Sequence, residues 1–155
     1  MKTRDTDKLN WDSYRLAVEM ADRVSARRGT ANAFFLTVES LFITTLFTVM
    51  SSRIVTNEFL IIGLALVGGL MSSTWYLQLR SYRDLNTAKF KVINALEESM
   101  GISVFNKEWE FLKQDEVKSW RGRYAELGVS ERYMPMLFSI LYLFVIVYEI
   151  VQLCI

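Results

Sequence analysis

The sequence predicts an all-α membrane protein with three transmembrane helices and helical extensions on one side of the bilayer. Three observations carry this. Apolar stretches of about 20 residues, the length that crosses a roughly 30 Å hydrocarbon core, occur three times. Only one proline and seven glycines interrupt 155 residues. Lys and Arg concentrate in two segments and are nearly absent from the rest.

The elements follow in order. Residues 1–30 are charged and read as a cytoplasmic helix, since Trp11, Tyr14, Val18, Ala21 and Ser25 recur at helical spacing. They lack an apolar region followed by a small-residue cleavage site, so no signal peptide is expected and the first span is retained. One helix is expected from about Asn10 to Met50. Residues 31–50 form the first span, with Glu39 near its middle, and 51–58 a short external loop. Residues 59–79 form the second span and contain no charged side chain. A helix apolar on every face does not suit a soluble bundle.

After it, Leu79, Tyr82, Asn86, Lys89, Ile93, Leu96 and Met100 alternate in steps of three and four, a heptad-like stripe expected to end at Gly101. The extensions of spans one and two are expected to pack as a helical hairpin. Phe105, Trp109 and Leu112 suggest one short helix. Val117, Trp120, Tyr124 and Leu127 suggest another, ended by Gly128. Residues 134–155 form the third span, with Ser130 and Pro135 read as its start. Residues 80–133 make up the second cytoplasmic region, and the whole chain is one structural unit.

Seven Lys/Arg lie in residues 1–30, one in 51–58 and ten in 80–133. The positive-inside rule then puts the N-terminus and 80–133 in the cytoplasm and the C-terminus outside. Trp75, Tyr76 and Tyr133 fall where interfacial aromatics belong.

Composition narrows the chemistry. With no His and one Cys, the chain cannot form an internal disulfide, a Cys/His zinc site, or a Ser-His-Asp or Cys-His nucleophile system. No Walker motif and no G-x-G-x-x-G occurs. Arg83-Asp84-Leu85-Asn86 looks like a kinase catalytic loop but lacks its spacing. An enzyme is not expected, nor a cofactor, nor a bound metal. A net charge of +1 gives no drive toward nucleic acid.

Candidate functional residues are therefore polar groups in the spans and aromatics outside them. Glu39 is costly in hydrocarbon and is expected to face a bundle interior, a partner or water. A helical wheel puts Arg28, Asn32, Phe35, Glu39 and Leu46 on one side, which suits a water-facing or subunit-facing surface; a structural hydrogen bond is the alternative. Ser139, Tyr142, Glu149 and Gln152 share a broad face of span three, so Asn32, Glu39, Glu149 and Gln152 are the candidate pore or subunit-interface groups. Small residues suit close helix packing: Thr37, Ser40 and Thr44 in span one, and Ala65, Gly69 and Ser73 in span two, with Gly68 and Ser72 beside them. Arg27, Arg28, Arg80 and Arg83 lie at the membrane surface and are expected to meet lipid phosphates or neighbouring acids. Trp109, Trp120 and Tyr124 are expected either to fill a small core or to present a surface to a protein partner.

The strings WDSYRLAVEMADRVSARRGTANAFFLTVES (11–40), LRSYRDLNTAKFKVINALEESM (79–100) and EWEFL (108–112) resemble the RipA family of octameric bacterial membrane proteins. Most specific are ARRGTAN-FFLT leading into span one and SYRDLN-AKF-VI leading out of span two. The resemblance implies a small inner-membrane homo-octamer surrounded by lipid. The family looks related to the pore-forming accessory protein of type VI CRISPR systems, which enhances antiphage defence. That relative's Arg…His nuclease-like motif has no counterpart here, because the chain lacks His. The function so implied is a pore that perturbs membrane potential in stress or antiphage defence. The alternative is a non-conducting scaffold that recruits a protein through its cytoplasmic crown.

Overall fold

The computed structural model describes residues 2–52, 57–114 and 127–154. Four helices follow in order: α1 (Lys2–Ser52), α2 (Glu58–Met100), α3 (Val104–Gln114) and α4 (Leu127–Cys154). Helices α1, α2 and α4 are long and apolar enough to cross a membrane. The fold class is the expected one, all-α with three such helices.

Local chemistry explains most boundaries. Helix α1 starts earlier than Asn10, since residues 2–9 contain no Gly or Pro to stop it. Gly29 lies inside α1, with no neighbouring group that a side chain there would meet. Asn57 opens α2, its Oδ1 accepting the Leu60 amide at 3.3 Å, an N-cap. Gly101 closes α2 with φ +69°. The Gly101 amide donates to the Glu98 carbonyl and the Ile102 amide to that of Glu97, the pair of bonds of a Schellman motif.

Two expectations at α4 are corrected. Gly128 does not end a helix: α4 begins at Leu127 and runs through it. Ser130 and Pro135 do not mark its start either, since Pro135 lies inside the helix. Proline withholds one amide from the ladder, a loss that transmembrane helices tolerate. The Ser139 hydroxyl donates to the Pro135 carbonyl at 2.9 Å. The remainder of the short helix expected at 117–127 lies outside the described residues.

Two compact units can be distinguished: Met1–Arg27 with Tyr82–Glu126, and Arg28–Ser81 with Leu127–Ile155. The second unit holds the apolar stretches. Its core gathers Ile43 and Leu46 from α1, Ile61, Ala65, Trp75 and Leu79 from α2, and Phe138, Tyr142 and Val145 from α4. Only 17 %, 28 % and 22 % of the most apolar windows of α1, α2 and α4 is buried inside the chain. Most of their apolar surface, including Phe34, Leu41, Leu70, Ile140 and Phe144, faces outward and needs lipid or another subunit to cover it. In the first unit, Ala21 and Val24 of α1 and Ile93 of α2 are buried, and Phe90 meets Phe105 edge-on at 5.3 Å. The expected hairpin of α1 and α2 is made here, with Tyr14 bound to Glu97.

Candidate functional site

In each unit a buried carboxylate joins three helices. In the membrane-type unit it is Glu39, fully buried. Its Oε1 accepts the Ser72 hydroxyl at 3.0 Å, and its Oε2 accepts the Tyr142 hydroxyl at 2.7 Å. One side chain of α1 thereby ties α2 and α4 together. The sequence makes room for this. Gly68 lies one turn before Ser72, and a Cβ there would run into the Tyr142 ring. Neighbouring side chains extend the network. The Trp75 indole donates to Asn32 Oδ1 at 3.1 Å, stacks on Phe35 at 5.9 Å and meets Phe138 at 6.1 Å. Arg28 reaches Glu131 at 3.4 Å, with both side chains about four-fifths buried.

Glu39 is therefore enclosed within one chain rather than set on a pore-facing or subunit-facing side, and half-buried Asn32 is engaged by Trp75 of the same chain. The reason is that the wheel face bearing Arg28, Asn32, Phe35, Glu39 and Leu46 is the face of α1 that packs on α2 and α4. A carboxylate and an amide inside hydrocarbon need hydrogen-bond partners, and Ser72, Tyr142 and Trp75 supply them. Glu149 is also buried, on α4, whereas Gln152 is exposed.

The small-residue rows divide between inward and outward faces. Ala65 is buried, but Gly69 is half-buried and Ser73 exposed. The inward face of α2 is Ile61, Ala65, Gly68, Ser72, Trp75 and Leu79, so Gly68 and Ser72, not Gly69 and Ser73, pack inside the chain. Thr37, Ser40 and Thr44 are exposed and do not pack α1 against its own chain. The hydroxyls of Thr37, Thr44 and Thr48 donate to the carbonyls four residues back at 2.7–2.9 Å, as hydroxyls do in an apolar medium. The side chains of Arg27, Arg80 and Arg83 are exposed.

The carboxylate of the first unit is Glu97, 1 % exposed. Its Oε1 accepts the Tyr14 hydroxyl at 3.0 Å and the amides of Val104 and Phe105 at 3.1 and 3.3 Å. It therefore caps α3 from the preceding helix while holding α1. Burial, the hydrogen bond to Glu97 and the nearby carboxylate charge all push the Tyr14 phenol above its ordinary pKa, so it remains a donor. Sequence reasoning passed over Glu97. The signal was present, because Glu97 follows Ile93 by four residues and shares its buried face. Trp109 falls in α3, and Trp120 and Tyr124 lie outside the described residues. Among the described residues no group of three or more His, Cys, Asp and Glu gathers to hold a metal ion.

Three long apolar helices locked by an internal carboxylate, with most of their surface turned outward, define an α-helical membrane protein. The model of the octameric membrane protein family (8xMP) matches residues 11–151, nearly the whole chain. The chain belongs to that family, and membership supports self-association. No curated protein and no solved structure matches the chain.

Proposed function

We propose that the protein assembles as a homo-octamer in the bacterial inner membrane and forms a pore. The observation that carries this reading is the exposed hydroxyl row Thr37, Ser40, Thr44 and Thr48 on α1, within an otherwise apolar stretch. In a ring of copies this row would form the water-facing wall, while Glu39 and Ser72 are engaged inside the chain. The charge distribution supports an N-terminus and an 80–133 region in the cytoplasm, with the C-terminus outside. The likeness to RipA, and through it to the accessory protein of type VI CRISPR systems, supports a role in stress or antiphage defence, exerted on membrane potential. No catalytic role is part of the proposal.

The test is ion flux through purified oligomer in liposomes. Wild type is expected to conduct. Thr44→Trp is expected to cut flux strongly, and Glu39→Gln to change it little, since Glu39 lies inside the protomer. A sealed oligomer under every ionic and voltage condition would overturn the pore. A scaffold is the second reading, favoured by Val104 and Phe111 on α3, which are 56 % and 70 % exposed. A protein partner lost on Phe111→Ala, from an oligomer that does not conduct, would establish it.

A further inference from the structure

Outside the apolar spans, both long helices carry a second seam that the folded chain leaves open. On α2, Ser81, Leu85, Ala88, Val92, Ala95 and Ser99 succeed one another at steps of four and three, and all are exposed. On α1, Leu9, Ser13, Leu16, Met20 and Arg23 do the same. Leu9, Leu16, Leu85 and Val92 are 64 %, 59 %, 46 % and 56 % exposed. This alternation is the spacing at which one helix offers knobs to the holes of another. The buried faces of both helices are separate from it: α1 uses Tyr14, Ala21 and Val24, and α2 uses Ile93 and Glu97.

We propose that these two seams meet between copies, α1 of one subunit packing on α2 of the next outside the membrane. The inference rests on the self-association proposed above and assigns it a surface. The two seams complement each other in size. Leu9, Leu16 and Met20 are long, and Ala88, Val92 and Ala95 are short, so side chains of one fit the gaps of the other. Membership of an octameric family supplies the second copy that covers both seams. Because the surfaces differ, the contact is head-to-tail, the kind that closes into a ring.

The test is cysteine cross-linking of the full-length protein in a Cys154→Ser background, with Leu16→Cys combined in turn with Leu85→Cys, Ala88→Cys and Val92→Cys. At least one pair is expected to give a ladder of covalent multimers on oxidation, and each single cysteine none. A dimer from Leu16→Cys alone would mean that like surfaces meet and would overturn the proposal. So would cross-links confined within one chain, or no cross-link from an oligomer of intact mass. In parallel, Leu16→Glu is expected to lower the oligomer fraction about tenfold or more, and adding Val92→Lys to restore it. Leu16→Glu without effect on the mass of the oligomer would count against the seam while leaving the octamer standing. A monomeric wild type would overturn both.

Discussion

Glu39 and Glu97 are both buried carboxylates on long helices, and each joins three helices of its unit, yet they find different partners. Glu39 is held by two side-chain hydroxyls. Glu97 is held by one hydroxyl and two backbone amides. The difference follows from what the backbone offers. Within an apolar span every amide is already committed to its own helix, so a buried acid there must recruit side chains from neighbouring helices. Outside the span a short helix begins nearby, and its first amides have no partner within the helix. The membrane-type unit therefore needs Ser72, Tyr142 and the space above Gly68. The other needs only a tight turn that brings the start of α3 back to Glu97.

The largest effect is expected where that space is removed. Gly68→Leu drives a side chain into the Tyr142 ring and is expected to cost about 3 kcal/mol or more, with loss of the folded oligomer in a thermal ramp in detergent. If Gly68→Leu is tolerated, Tyr142 does not need that opening and the account of the membrane-type unit is wrong. Next is Glu97→Ala, which strands the Tyr14 hydroxyl and two α3 amides and is expected to cost about 2–3 kcal/mol. Its signature is local: hydrogen exchange should quicken at the start of α3 and leave the apolar spans protected. Uniform loosening of the whole chain would erase the distinction between the units.

A smaller change separates the two kinds of partner. Tyr142→Phe keeps the ring and removes one donor to Glu39, and is expected to lower stability by about 1 kcal/mol, read as the midpoint of chemical unfolding. Tyr14→Phe should cost no more, because two amides still hold Glu97; a larger loss at Tyr14 would show that the hydroxyl, not the helix start, is the principal partner. The smallest effect is expected at Thr37→Ala, whose hydroxyl serves only its own helix, with a change in protomer stability within about 0.5 kcal/mol. A marked loss of assembly without loss of protomer stability would place Thr37 between subunits rather than on a water-facing wall.

Much of this was legible in the residues. Runs of apolar side chains predicted three long helices, Gly101 predicted the end of α2, and the stripe through Ile93 predicted its buried face. Pro135 misled, because proline marks helix starts in water but is tolerated mid-helix where neighbours and hydroxyls compensate. Which small residues of α2 pack inside the protomer was not legible. Two small-residue rows lie side by side on α2, and composition does not rank them.

The sequence by itself determined the three long apolar helices, the end of α2 and the presence of an acid within span one, because these depend on local propensity, periodicity and the length of apolar runs. Tertiary structure alone decided which face of each apolar span turned inward. A single step along a helix rotates a side chain by about 100°, enough to move Gly69 aside and bring Gly68 under Tyr142. It also decided that Glu39 faces Ser72 and Tyr142 rather than a pore, since a buried carboxylate settles where donors from separate helices converge, and that convergence exists only once the helices have packed.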